Sequence, residues 1–348
     1  MPRTYLDWNA TTPHRPEARA AMVAAMDVVG NPSSVHAEGR AAKALIERAR
    51  TQVAAALGAE GADIVFTSGA TEAAALACAG RGLLCSAIEH EAVSAWCDAT
   101  LPADRLGHVA VVDPGRTALQ LANSETGVVQ DLPEGLAVSD LTQGFGKLPV
   151  AFNWLGCEMG FVAAHKLGGP KGVGALVIRR GLDVEPRLRG GGQEMGRRAG
   201  TENLIGIAGF GAAAEAAQRE LADGVWERVE RFRNILDQAL SDQEFETISV
   251  GKGARRLPNT LCLIAPGWKG ETQVMQMDLA GFAVSAGSAC SSGKVRASRV
   301  LRAMGFGEDE AASALRISLG PLVTEDEVMR FADNWRAAFR RHKARRAV

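Results

Sequence analysis

The chain carries almost no net charge: 39 basic and 40 acidic side chains among 348 residues leave a balance of −1. A near-neutral chain offers no broad field to a polyanion, so nucleic-acid binding is not expected as its main business. It also lacks an apolar run long enough to cross a bilayer, and Met1-Pro-Arg-Thr leads straight into Tyr5-Leu-Asp-Trp8, which already reads as structure. The expectation is therefore a cytoplasmic protein with no membrane partner and no leader. The six cysteines include no C-x-x-C pair, which in a chain of this size reads as reduced thiols, mostly core filler, with no metal site implied. Internal repeats and low-complexity segments are absent, and so are a P-loop and a dinucleotide fingerprint.

What is present is apolar material for a sizeable core, 47% of residues, on a chain long enough for about two domains. Short apolar strands alternate with helices or turns: Asp63–Ser68, Leu83–Ile88, His108–Val112, Thr117–Ala122, Leu136–Ser139 and Gly174–Arg179. This predicts an α/β fold with a mostly parallel sheet and helices on both faces, followed by a smaller α+β region. The boundaries expected are residues 12–224 for the large domain and 225–348 for the small one, with residues 1–11 packing on the latter. A Thr324-x-x-Glu327 box opens a terminal helix that closes on Arg340-Arg341-His342-Lys343-Ala344-Arg345-Arg346, where cations suit the helix dipole.

Polar residues gather where the strands finish, the place where ligands sit in parallel sheets. Ser68–Thr71, His90, Asn123/Ser124, Asp140/Gln143 and His165/Lys166 all fall at such ends. Gly69-Ala-Thr-Glu72 turns a strand into a helix and aims free N–H groups and the Thr71 hydroxyl outward, a seat for a phosphate. Phe161–Ala164 runs into His165-Lys166 and a Gly/Pro loop; a lysine at the mouth of a buried strand is partly desolvated and nucleophilic toward carbonyls. Taken alone, that segment also fits a surface lysine beginning a hairpin, and a lone His90 is more often a hydrogen-bonded structural residue. Gly190–Thr201 is a polar glycine loop whose Arg197, Arg198 and Thr201 point to anion contact. Cys290 sits between Gly287-Ser288 and Ser291-Ser292-Gly293, in a polar loop where an accessible thiol can act as a nucleophile; an incidental surface cysteine fits those residues equally.

In order along the chain, the segments YLDWNATTP, GNPSSVHAEGRAA, IVFTSGATE, IEHEAV, NSETGVVQ, DLTQGFGKLP, AHKLGGPKGVGAL, GGGQEMGRRAGTEN, SAGSACSSGK and LRISLG resemble the cysteine desulfurase family. That family lies in the class V aminotransferase branch of fold-type I enzymes dependent on pyridoxal 5'-phosphate (PLP). The resemblance runs from Tyr5 to about Phe339. It implies that Lys166 holds PLP as a Schiff base, Asp140 pairs with the ring nitrogen, and His90 stacks on the ring and shuttles protons. Gln143 and Ser124 would lie near the ring's phenolic oxygen. Ala70, Thr71 and His165 would hold the phosphate, with Thr201 reaching it from the other subunit of a homodimer. Arg316 would clamp the substrate carboxylate, with Asn31 lining that pocket.

The implied reaction removes sulfur from L-cysteine. Lys166 takes the Cα proton, the Cys290 thiolate attacks the substrate sulfur, the carbon–sulfur bond breaks, and alanine leaves a persulfide on Cys290. That sulfur passes to an acceptor such as an iron–sulfur cluster scaffold. The chain departs from the family pattern at Ser124, usually Asn; at Ala163, usually Ser; at Ala75, usually Asn; and in a short 127–136 segment without the usual crossover helix. One lost charge-assisted hydrogen bond costs on the order of 1.5–3 kcal/mol of cofactor binding. These departures motivate two alternatives: another class V PLP reaction, such as selenocysteine lyase or transamination, and a non-catalytic paralogue.

Overall fold

The computed structural model describes residues 3–241, 245–287 and 297–346. In chain order they form β1 (Thr4–Tyr5), α1 (Pro16–Met26), α2 (Ala37–Ala56), β2 (Asp63–Thr67), α3 (Ala70–Cys78), β3 (Leu84–Ser86), α4 (Glu91–Ser94), β4 (Asp98–Leu101), β5 (Ala118–Gln120) and β6 (Leu136–Asp140). There follow β7 (Cys157–Ala163), β8 (Gly174–Ile178), α5 (Leu204–Ala222), α6 (Val225–Leu240), β9 (Ile248–Ser249), β10 (Thr260–Ile264), α7 (Gly270–Leu279), β11 (Phe282–Ala283), α8 (Arg299–Ala303), α9 (Glu308–Ala312), β12 (Ala314–Ser318) and α10 (Glu325–Arg346).

The larger sheet has the order β2-β8-β7-β6-β5. Strands β5, β6 and β7 pair in parallel, and β8 runs antiparallel to both β7 and β2; four strands thus share one direction. Its central strands are apolar on both faces because both faces are covered. Ile64 and Phe66 of β2, with Ala175 and Val177 of β8, turn to a core built on Ala18, Ile46, Val53 and Phe210 of α1, α2 and α5. The residues between them, Val65, Leu176 and Ile178, turn the other way, onto Ala73, Leu76 and Ala77 of α3. This alternation of single residues is the strand's period of two made visible. At the start of β8, a Cβ on Gly174 would lie 2.6 Å from the Val162 carbonyl oxygen and 2.8 Å from the Gly69 carbonyl carbon. Only glycine lets β8 press this closely on the turn that opens α3.

A second, antiparallel sheet, β12-β10-β9, packs under α6, α7 and α10 around Trp226, Trp268, Phe331, Trp335 and Phe339. Leu6 belongs to that same core, and β1 pairs with β11. Gln273 is fully buried there but satisfied: it donates to the carbonyls of Trp268 (2.8 Å) and Ser313 (2.9 Å) and accepts from Trp335 Nε1 (3.0 Å). The capping box of α10 forms, with Thr324 N–H donating to Glu327 (3.0 Å) and Glu327 N–H to Thr324 Oγ1 (3.3 Å). Among the described residues, no helix is long and apolar enough to cross a membrane.

One local expectation differs from the structure. Residues 108–112 do not form a strand; one isolated bridge, Ala103–Val109, is made, and the Val109 N–H donates instead to the Gln130 side chain at 3.0 Å. The alternating valines there lack a neighbouring strand, and Val112 stays exposed. The strand in this region is β4, parallel to β3. Helix α1 carries no marked apolar face beyond Ala18 and Ala25, so periodicity did not announce it. Between β5 and β6 the chain crosses without a helix.

Candidate active site

The carboxyl ends of the parallel strands open into a cleft of about 670 Å³. Strand β2 ends on the Ser68–Thr71 turn and the N-terminus of α3, β6 ends on Asp140, and β7 runs into a single 3-10 turn, Ala164–Lys166. Lys166, His90, Asp140, Gln143, Ala70, Thr71, His165, Ser124 and Arg316 all line this one cleft. Asn31 and Thr201 do not. They line a separate exposed groove between the end of α1 and the start of α5. Cys290 lies outside the described residues, while Gly287, three positions before it in the sequence, lines the cleft.

Lys166 Nζ donates to the carbonyls of Asn9 (2.6 Å) and Ala10 (2.8 Å), so the N-terminal segment forms one wall. Asp140 accepts from the Thr142 N–H at 2.8 Å. Burial raises its carboxyl above the ordinary range, against the pull of that hydrogen bond and of His90 and Lys166. His90 caps α4, its Nδ1 accepting the Ala92 N–H at 3.1 Å; a neutral ring therefore carries its proton on Nε2. His165 sits beside Lys166 with Nδ1 3.1 Å from Thr11 Oγ1. Burial, together with Lys166, Lys171 and Lys147, pushes its imidazole down to about 4.

Arg316 reaches the cleft from β12. Its Nη2 donates to Asp7 Oδ1 (2.7 Å) and its Nη1 to the Ser124 carbonyl (3.1 Å), while its buried Nε has no partner among the described residues. Asp7 is held in turn by Ser285 Oγ at 2.8 Å. At the α3 end, the Ser68 N–H donates to Glu72 (2.8 Å), and Arg198 donates to the same carboxylate (2.9 and 3.4 Å). Burial alone would raise Glu72, but these donors hold it below its ordinary range.

Sequence reasoning passed over three contributors. Asn9 supplies the carbonyl that receives Lys166. Glu89 is fully buried and lines the cleft; its Oε1 accepts the Gln120 N–H (2.9 Å), its Oε2 has no partner among the described residues, and burial raises the carboxyl well above its usual range. Lys147 is buried beneath Gln143. All three lay in quoted motifs, but only the fold shows which way they face.

A sheet with this strand order, carrying a lysine, an acid and a helix N-terminus at its carboxyl end, is that of a class V aminotransferase, and the family model for "Aminotransferase class-V" matches residues 4–116 and 115–331. Among curated proteins, the chain is 38% identical to a cysteine desulfurase of Cereibacter sphaeroides, over 96% of this chain and 95% of that protein. It is 41% identical to a cysteine desulfurase of a Frankia species, over 94% and 89%. A NifS-like protein from Rickettsia africae superposes with a TM-score of 0.86 at 31% identity, covering 96% of this chain and 99% of that one. A solved structure of SspA in complex with cysteine gives 0.74 at 29%, covering 92% and 100%. The chain belongs to the cysteine desulfurase family.

Proposed function

We propose that this chain removes the sulfur of L-cysteine to give L-alanine, using PLP, and passes the sulfur through a persulfide on Cys290 to an acceptor such as an iron–sulfur cluster scaffold. The observation that carries the reading is the meeting of Lys166, Asp140, the α3 N-terminus and Arg316 in one cleft. The donor set fits PLP. An amine stands beside a buried carboxyl for a pyridine nitrogen. An imidazole lies at the cleft edge, and the α3 N-terminus offers N–H groups and the Thr71 hydroxyl to a phosphate. Glu89 Oε2 and Arg316 Nε, buried polar atoms without partners among the described residues, fit a cleft built for a polar guest.

When bound, PLP supplies an electron sink for the substrate carbon. Lys166 would hold it and move the proton at the substrate Cα, Asp140 would pair with its ring nitrogen, and His90 would stack on the ring and relay protons through Nε2. Gln143 and Ser124 would lie near the ring oxygen, and Ala70, Thr71 and His165 would hold the phosphate. Arg316 would orient the substrate carboxylate. Four of the described thiols are poor rivals to Cys290: burial pushes Cys157 and Cys262 up to about 12, and contact with neighbouring thiols raises Cys85 and takes Cys97 to about 12. We take the working unit as a cytoplasmic homodimer in which Thr201 and Asn31, together in one exposed groove, serve the partner's site. Residues 12–224 would bind the cofactor; residues 225–348, with 1–11, would form the second unit, a division supported by the pairing of β1 with β11.

The test is a purified protein incubated with PLP and then L-cysteine, with alanine and sulfide measured in the presence of a reductant. Wild type should show a visible absorption band and turnover; Lys166→Ala should lose both, and Cys290→Ala should keep the band and lose turnover. Turnover surviving Cys290→Ala would move the assignment to selenocysteine lyase or aminotransferase chemistry. A wild-type protein without a band would refute the use of PLP and leave a non-catalytic paralogue.

A further inference from the structure

Lys147 follows β6 in the turn at 141–148 and is only 2% exposed. Its Nζ donates to Gln143 Oε1 at 2.7 Å and to Asn9 Oδ1 at 3.2 Å, both oxygens of neutral amides. Burying an amine among neutral partners is costly, and Lys166 and Arg316 add their repulsion to burial, holding its basicity well below the ordinary range. A hydrophobic residue would fill the space at lower cost, so the amine must serve something besides packing.

What it serves is the orientation of two amides. The Gln143 Nε2 donates to the Asn9 main-chain carbonyl at 3.0 Å, an oxygen that can only accept. Its Oε1 faces Lys147, which donates in either protonation state. Both neighbours select the same flip, and the remaining N–H of Gln143 is left for the cleft that this residue lines. The Asn9 side chain is locked in the same way: its Oδ1 accepts from Lys147 and from Asn259 Nδ2 (3.1 Å), while its Nδ2 donates to Thr260 Oγ1 (2.8 Å) and the Ser124 carbonyl (3.1 Å). The Asn9 main-chain carbonyl is also the one that receives Lys166.

We propose that Lys147 is a positioning residue: from beneath the cleft it fixes the carboxamide of Gln143 so that one N–H is presented to the ring oxygen of bound PLP. The proposal rests on the reading of the cleft as a PLP site. Its test compares the affinity of the apoprotein for PLP with that for 3-deoxypyridoxal 5'-phosphate, which lacks the ring oxygen, by quenching of tryptophan fluorescence. In Lys147→Met the preference for PLP over the deoxy analogue should fall roughly tenfold, the scale of one well-aligned hydrogen bond. Affinity for the analogue should be unchanged, and the melting temperature of the apoprotein equal or higher. Lys147→Gln, which keeps a donor at shorter reach, should show the same selective loss at smaller size if the methionine variant is insoluble. An equal loss for both ligands with a lowered melting temperature would make Lys147 purely structural, and an unchanged preference would remove its role. A wild-type protein that binds neither ligand would instead refute the PLP reading itself, and this inference with it.

Discussion

The imidazole of His165 gives the site a measurable dependence on acid. The folded ring resists protonation down to about 4, whereas the ordinary value is 6.5. Between those values the unfolded chain binds a proton that the folded one refuses, so stability rises with pH. The contribution is complete above about 6.5 and is lost as pH falls toward 4. A fully buried ring would contribute about 3 kcal/mol across that window, and the portion of this ring that solvent reaches reduces it to about 1–2 kcal/mol.

The assay is urea unfolding of apoprotein between pH 7.5 and 5, for wild type and for His165→Asn, whose amide can keep the Thr11 contact. Glu89, Glu125 and Asp140, raised chiefly by burial, titrate with the opposite sign, but they are common to both proteins and cancel in the difference. Wild-type stability minus variant stability should fall by about 1 kcal/mol over this range, the part of the window above pH 5. Saturating PLP should flatten the fall, because a phosphate beside the ring favours its protonated form. A difference that stays level in the apoprotein would mean that neither burial nor the charges of Lys166, Lys171 and Lys147 hold this ring neutral, and the electrostatic description of the site would be wrong.

Three further outcomes follow from the same geometry. Arg316→Lys keeps the charge but loses the fork, so KM for L-cysteine should rise about 10–100-fold with a smaller change in kcat, measured by initial rates of alanine release. Glu194→Gln breaks a buried carboxylate that accepts two hydrogen bonds from Arg50 (2.9 and 3.0 Å) and one from the Phe66 N–H (2.8 Å). It should cost about 3 kcal/mol, read by calorimetry as a melting temperature several degrees lower. Asp140→Asn keeps the shape but not the charge expected to face the ring nitrogen; PLP should still bind, while turnover drops by at least about 100-fold.

The sheet was legible because burial on both faces leaves a plain trace: β8 is an unbroken apolar run, β7 is broken only by Glu158, and the polar His165-Lys166 after β7 marks the cleft. The strand expected at 108–112 failed because alternation records only a half-buried surface, and there the partner of Val109 is the side chain of Gln130. The charge network was illegible for a different reason. Asp7 meets Arg316, and Asn9 meets Asn259 and Thr260, across separations of about 250–310 residues that no local pattern encodes. Lys147 looked like any surface lysine until the turn at 141–148 placed it beneath Gln143. Asn31 and Thr201 lie 170 positions apart and share a groove, a pairing the sequence expressed only as two separate motifs.

That long-range network neutralises one buried arginine and leaves one of its donors over. Asp7 and the Ser124 carbonyl occupy the two Nη groups of Arg316, which removes the cost of an unpaired buried guanidinium. Among the described residues Nε has no partner, and a buried donor left in that state costs about 1–3 kcal/mol. Ser285 Oγ donates to the other oxygen of the Asp7 carboxylate, so Asp7 is fixed against Arg316 from two sides.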